Sequence, residues 1–226
     1  MNEPSNRPPQ ALFDAIKKDL APVKPLAPPW RRALFVVPVA LVVMGMPFLY
    51  YRLRDTTDLG ATLGWMPVAV QILLAFALLV FALREGIPGW RASAGVIFSL
   101  CVVAYTVQIA VNLLIFLRSP ASAGGSGVAM WMQCFRVESL IGLPMLIVVA
   151  WLVARTLPQR PWLAGFLAGT GAGFAGDASW RMFCPYSDPT HILLGHTGGI
   201  LVLGLTGFLL GYLWSLVSQR VDATSL

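Results

Sequence analysis

Six long apolar runs, separated by short stretches that hold nearly all of the charge, leave this chain little choice of solvent. They are Ala33–Tyr51, Ala61–Leu83, Ala92–Leu117, Val137–Ala154, Pro161–Gly176 and Pro189–Val217. A helix of about 20 residues with almost no charge spans the hydrocarbon core of a bilayer. The runs are apolar on every face instead of alternating, which excludes a barrel of lipid-facing strands. With 57% hydrophobic and 12% charged residues, the chain carries more apolar surface than one small core can bury. The predicted class is therefore an all-α membrane protein with six transmembrane helices and a short cytoplasmic N-terminal amphipathic arm. The fifth run is short and glycine-dense, with Gly165, Gly169, Gly171, Gly173 and Gly176 spaced so that neighbouring helices can approach closely.

Charge sets the predicted orientation. The segment before the first run carries Arg7, Lys17, Lys18, Lys24, Arg31 and Arg32; the second loop adds Arg84 and Arg91, the fourth Arg155 and Arg160, and the tail Arg220. The opposite side holds Arg52, Arg54, Arg118, Arg136 and Arg181. Eleven basic residues against five place both termini in the cytoplasm. The net charge of +6 is explained by this asymmetry, so no direct nucleic-acid partner is expected. The first run lies too far from the start, and is too long, for a cleaved signal peptide. The expected organisation is a cytoplasmic arm over 1–32, a transmembrane domain over 33–217 and a cytoplasmic tail over 218–226.

Within the arm, residues 10–20 place Leu12, Phe13, Ile16 and Leu20 on one stripe of a helix, with Asp14, Lys17, Lys18 and Asp19 around the rest. A helix this short is marginal alone in water, so it either lies on the membrane as an interfacial anchor or docks in a partner's groove. Residues 21–29 follow as a proline-rich, semi-rigid spacer.

The chemistry falls to the loops on the other side, since no segment is large enough for a soluble catalytic domain. Cys101 lies within the third run and reads as a small hydrophobe. Cys134 ends the third loop and Cys184 sits in the fifth, Asp177–Asp188, so both fall in the outer, oxidising compartment. Arg136 and Arg181 are close in sequence and favour the thiolate. Met130, Met132 and Met182 add soft donors suited to a thiophilic metal, and His191 is a further candidate ligand. A structural disulfide and a redox- or metal-responsive pair both fit. His191 and His196, five apart on an α-helix, point roughly 140° away from each other and cannot share a site without a distortion; His196 reads as an interhelical hydrogen-bonding group. Glu138 sits near the interface as a solvated carboxylate, and Asp188 with Pro189 caps the sixth helix.

The arm IKKDLAPVKPLAPPWRR, the outward Cys134 and the block FCPYSDPTHILLGHTGGILVLGLTGFLLGYLW together resemble the NrsF family of six-span membrane anti-sigma factors. The resemblance covers essentially the whole chain. It implies no enzyme and no cofactor, but a partner: an extracytoplasmic-function (ECF) sigma factor of the sigma F type, held by Leu12, Phe13, Ile16, Lys17 and Leu20. It also implies that Cys134 and Cys184 sense heavy metal or oxidant, with a thiophilic metal ion as inducer and the lipid bilayer as the other partner. The methionines belong to the spacing argument alone. The rival reading is a membrane thiol oxidoreductase or small metal transporter. The first would want a Cys-x-x-Cys pair, which the chain lacks. The second would want polar groups lining a path at mid-membrane, of which only Gln71, Gln108 and Asn112 stand out.

Overall fold

A computed structural model describes residues 10–19, 26–57, 59–118, 127–156, 158–186 and 188–224, and every regular element among them is helical. Helix α1 (Gln10–Asp19) stands apart, with Leu12, Phe13 and Ile16 each about half exposed. The first apolar run is not one helix but three pieces: α2 (Pro29–Leu34), α3 (Val37–Gly45) and a 3₁₀ turn over Met46–Leu49. Pro38 and Pro47 account for the breaks, because each lacks an N–H and its ring crowds the carbonyl four residues back. Then come α4 (Gly60–Glu85), α5 (Ala94–Arg118), α6 (Val128–Ala154) and α7 (Pro161–Arg181). The last run is composite, with α8 (Pro189–His191), a π turn over Ile192–Thr197 and α9 (Gly198–Thr224).

Five helical stretches are long and apolar enough to cross a membrane: Pro29–Leu49, Thr62–Glu85, Ala94–Arg118, Val128–Ala154 and Pro189–Ser218. The expected fifth span, Pro161–Gly176, is not among them. In its place lies α7, extended to Arg181, whose residues from Leu167 to Arg181 are all buried. Its neighbours are other helices on every side, so it needs little of the hydropathy that lipid demands. Glycine makes the enclosure work. A Cβ on Gly165 would overlap the carbonyl of Gly207, and one on Gly169 the carbonyl of Leu203, both on α9. A Cβ on Gly171 would meet Leu79 of α4 at 3.0 Å, and one on Gly176 the Glu138 carbonyl of α6 at 2.6 Å. The glycines thus serve three faces of one helix, the small-residue packing expected when helices must touch without a hydrophobic drive.

The bundle has two ends. At one, Arg160 pairs with Glu85 at 2.6 Å and donates to the Ala92 carbonyl, while the Ala92 N–H donates to Glu85. Arg32, also buried, donates to the Leu152 carbonyl at 2.6 Å. At the other end lie both loop cysteines. There the Arg54 N–H donates to the Met182 carbonyl at 2.9 Å, tying the α3–α4 connection to the segment after α7. Burial, and then the neighbouring Arg181, pulls the Arg54 guanidinium down to about 10.

Candidate sensing site

Cys134 lies in the second turn of α6, which begins nine residues before the expected boundary at Val137; it is a helix residue, not a loop residue. Its Sγ is 3.7 Å from the Sγ of Cys184, and both thiols are buried. Cys184 follows α7 directly, at the end of a turn in which its N–H donates to the Trp180 carbonyl. Trp180, Phe183 and Ile141 enclose the pair, with Tyr51 edge-on to Trp180 and Phe48 edge-on to Phe183, both at 4.9 Å. An apolar, aromatic cap therefore lies over two soft sulfur atoms.

The two histidines meet at the same sulfur. His191 Nε2 is 3.3 Å and His196 Nε2 3.4 Å from Cys184 Sγ, and their ring centroids are 5.2 Å apart. The α-helical argument that separated them fails because Ile192–Thr197 is a π turn. A turn closed by i→i+5 hydrogen bonds brings residues five apart onto nearly one face, and such turns collect at functional sites. The start of the turn is fixed by Asp188, whose side chain accepts from the His191 N–H at 2.9 Å. The four donor atoms of Cys134, Cys184, His191 and His196 all lie within 4.8 Å of one another.

Behind His196 stands a polar network that sequence reasoning missed. Asp177, expected in a loop, is inside α7 and fully buried. It accepts from His196 Nδ1 at 2.6 Å, from Gln108 Nε2 at 2.6 Å and from Gln71 Nε2. An ionised carboxylate only accepts, so this pattern puts a hydrogen on Nδ1 and leaves Nε2 facing the thiol. Glu138 is no solvated carboxylate: it is buried, 3.7 Å from His196 Nδ1, and its carboxyl fits only because Gly199 has no Cβ, which would lie 2.6 Å from Glu138 Oε1. Arg181, fully buried, donates to Asn112 Oδ1 at 2.5 Å and to the Tyr186 carbonyl. Contact with the Cys134 thiol, and then His196, holds the Cys184 thiol well below its ordinary range against the opposing effect of burial.

Of the residues singled out from the sequence, Cys134, Cys184 and His191 are brought together, and Met182 packs against them. Met130 is 41% exposed near the start of α6 and Met132 half-buried. Arg136, expected to favour the thiolate, is exposed on α6. Leu12, Phe13, Ile16 and Lys17 lie exposed on α1, and Leu20 is outside the described residues. His196 and Asp177 could have been found by one signal: an i,i+5 histidine pair among glycines, read together with a lone acid at the end of a glycine-rich helix.

Residues 17–214 match the family described as negative regulator of sigma F. The chain belongs to the NrsF family. It is 31% identical over 209 residues to the anti-sigma-F factor NrsF of Caulobacter vibrioides (strain NA1000 / CB15N), covering 87% of this chain and 93% of that protein. No solved structure matches. NrsF membership places the chain among non-enzymatic negative regulators, and the match spans every helix of the bundle from α2 to α8 and most of α9.

Proposed function

We propose that this chain is a membrane anti-sigma factor of the bacterial inner membrane, crossing six times with both termini in the cytoplasm. In this reading α1 holds an ECF sigma factor, and the buried cysteine pair governs its release in response to a thiophilic metal or an oxidant. One observation carries it: two thiols 50 residues apart in sequence lie 3.7 Å from each other, at the end of the bundle remote from Glu85. Either inducer acts on such a pair. An ion would bind both sulfurs as thiolates; an oxidant would take two electrons and two protons from them and leave one S–S bond.

Other features support the reading. The similar Caulobacter protein is named for action on sigma F. The start of α7 lies beside Glu85 through Arg160 and its other end beside Cys184, which suits a sixth crossing. The exposed stripe of Leu12, Phe13 and Ile16, with Lys17 beside it, suits a helix laid in a partner's groove; Leu20 would continue the stripe. Met182, packed against the cluster that holds the pair, is the methionine best placed to assist a metal, ahead of Met130 and Met132.

Affinity purification from mild detergent tests the reading. A sigma factor should accompany the intact chain and be lost when residues 1–30 are removed. Replacing Phe13 and Ile16 with Asp should free the sigma factor and switch its genes on without inducer, with the protein still in the membrane. Continued repression by that double variant would reduce α1 to an anchor.

A further inference from the structure

We propose that Cys134, Cys184, His191 and His196 form a four-coordinate S₂N₂ site for a thiophilic d¹⁰ divalent ion such as Zn²⁺ or Cd²⁺, with Asp177 as the carboxylate that orients His196. The inference rests on the sensing reading above only for its biological consequence; the ligand geometry stands on its own.

Tetrahedral coordination with metal–sulfur bonds of about 2.3 Å and metal–nitrogen bonds of about 2.0–2.1 Å sets two thiolates about 3.8 Å apart and a thiolate about 3.5 Å from an imidazole nitrogen. The observed separations are 3.7 Å between the sulfurs and 3.3 and 3.4 Å from Cys184 Sγ to the two Nε2 atoms. The three contacts at Cys184 Sγ thus fall within a few tenths of an ångström of those distances, and all four donor atoms lie within 4.8 Å of one another. A disulfide would instead draw the sulfurs to about 2.05 Å.

The surroundings are those of a metal site. A ligating histidine commonly donates its second ring N–H to a carboxylate, which fixes ring and tautomer; His196 Nδ1 meets Asp177 at 2.6 Å, and Gln108 and Gln71 hold the carboxylate in turn. His191 is fully buried, and its Nδ1 makes no hydrogen bond among the described residues, so its polar reach is toward Cys184 alone. Charge suits the setting too. The protons the thiols still carry pass to solvent on binding, and two thiolates with two neutral imidazoles cancel a divalent charge under the aromatic cap of Trp180 and Phe183. The donor set of two sulfurs and two imidazoles selects zinc-like ions over oxygen-seeking ones.

The full-length protein, purified in mild detergent under reducing conditions, is titrated with Co²⁺ as spectroscopic probe and then with Zn²⁺ or Cd²⁺ as competitor. One ion per chain should bind with intense tetrahedral d–d bands and a thiolate charge-transfer band, and Zn²⁺ should displace it. X-ray absorption on the zinc-loaded protein, which needs no variant, should give a first shell of two sulfurs and two nitrogens. His191→Ala should weaken binding tenfold or more, and Asp177→Asn by about 10–100-fold, while Met130→Leu should leave it unchanged. An octahedral cobalt spectrum, a sulfur-only or oxygen-rich shell, or unaltered affinity in His191→Ala would overturn the site. The same preparations report on the sensing reading separately. An S₂N₂ ion that leaves the sigma factor bound supports the site and defeats the sensing reading. Cysteine-dependent induction in a protein with no such ion does the reverse.

Discussion

At the Glu85 end, one carboxylate accepts from Arg160 and from the Ala92 N–H, and the guanidinium keeps 22% of its side chain exposed. At the cysteine end, Glu138 and Asp177 lie within reach of one imidazole, with Glu138 accepting no hydrogen bond among the described residues, and two thiols share their pocket with a second histidine. In the first arrangement both carboxylate oxygens are engaged, and it can do little else. The second keeps soft donors and a carboxylate in place without using up their capacity for bonding, the condition of a group that waits for a ligand. Both are buried polar clusters, and the difference between them separates a clamp from a site with donors to spare.

That contrast can be broken most sharply at the cysteines. Serine at Cys134, at Cys184 or at both should abolish induction to the same extent, since a pair acting as one unit is strongly non-additive, and repression should persist in all three. A reporter of sigma-dependent transcription reads this directly; full induction of the double variant would leave the cysteines as structure only. Next in size is Glu85→Ala, which strands the Arg160 guanidinium and the Ala92 N–H. Breaking a fully buried pair costs about 3–5 kcal/mol, and the partial exposure of Arg160 brings the expected loss down to roughly 1–3 kcal/mol. It should appear as a lower unfolding temperature in detergent, with the response to inducer intact.

Asp188→Ala removes the cap that starts α8 and should cost about 1 kcal/mol. Because that cap fixes the entry to the π turn, its loss should also raise the inducer concentration needed for half-maximal response, which the equivalent change at Glu85 should not do. Smallest of all is Met130→Leu, expected to stay within about 0.5 kcal/mol of the parent and to respond normally, consistent with its exposed place on α6.

Hydropathy alone reveals most of the helices, because lipid imposes one rule on every residue that faces it. It stops short at α7, ending the run at Gly176 where the helix continues to Arg181, because the glycines and Asp177 there face other helices and the composition reports close packing. The same limit conceals the two acids of the site. Run length and charge count predict a loop beginning at Asp177 and an interfacial Glu138, because neither says which acid is enclosed by neighbours. Cys134, Cys184 and His191 were legible from residue type, whereas His196 was not: its placement depends on a local departure from α geometry that spacing rules assume away.

That departure has an arithmetic of its own. The segment Ile192–Thr197 holds one residue more than an α-helix of the same course would need. Deleting a single residue there, at Leu193 or Leu194, both of which face outward from the bundle, would restore a regular helix. It would also leave His191 and His196 four apart, about 40° from each other on a regular helix, so both imidazoles would stay on one face. The π turn thus lets a helix whose histidines stand five apart do what a plain α-helix does with histidines four apart, and a frame-preserving loss of three nucleotides would exchange one solution for the other.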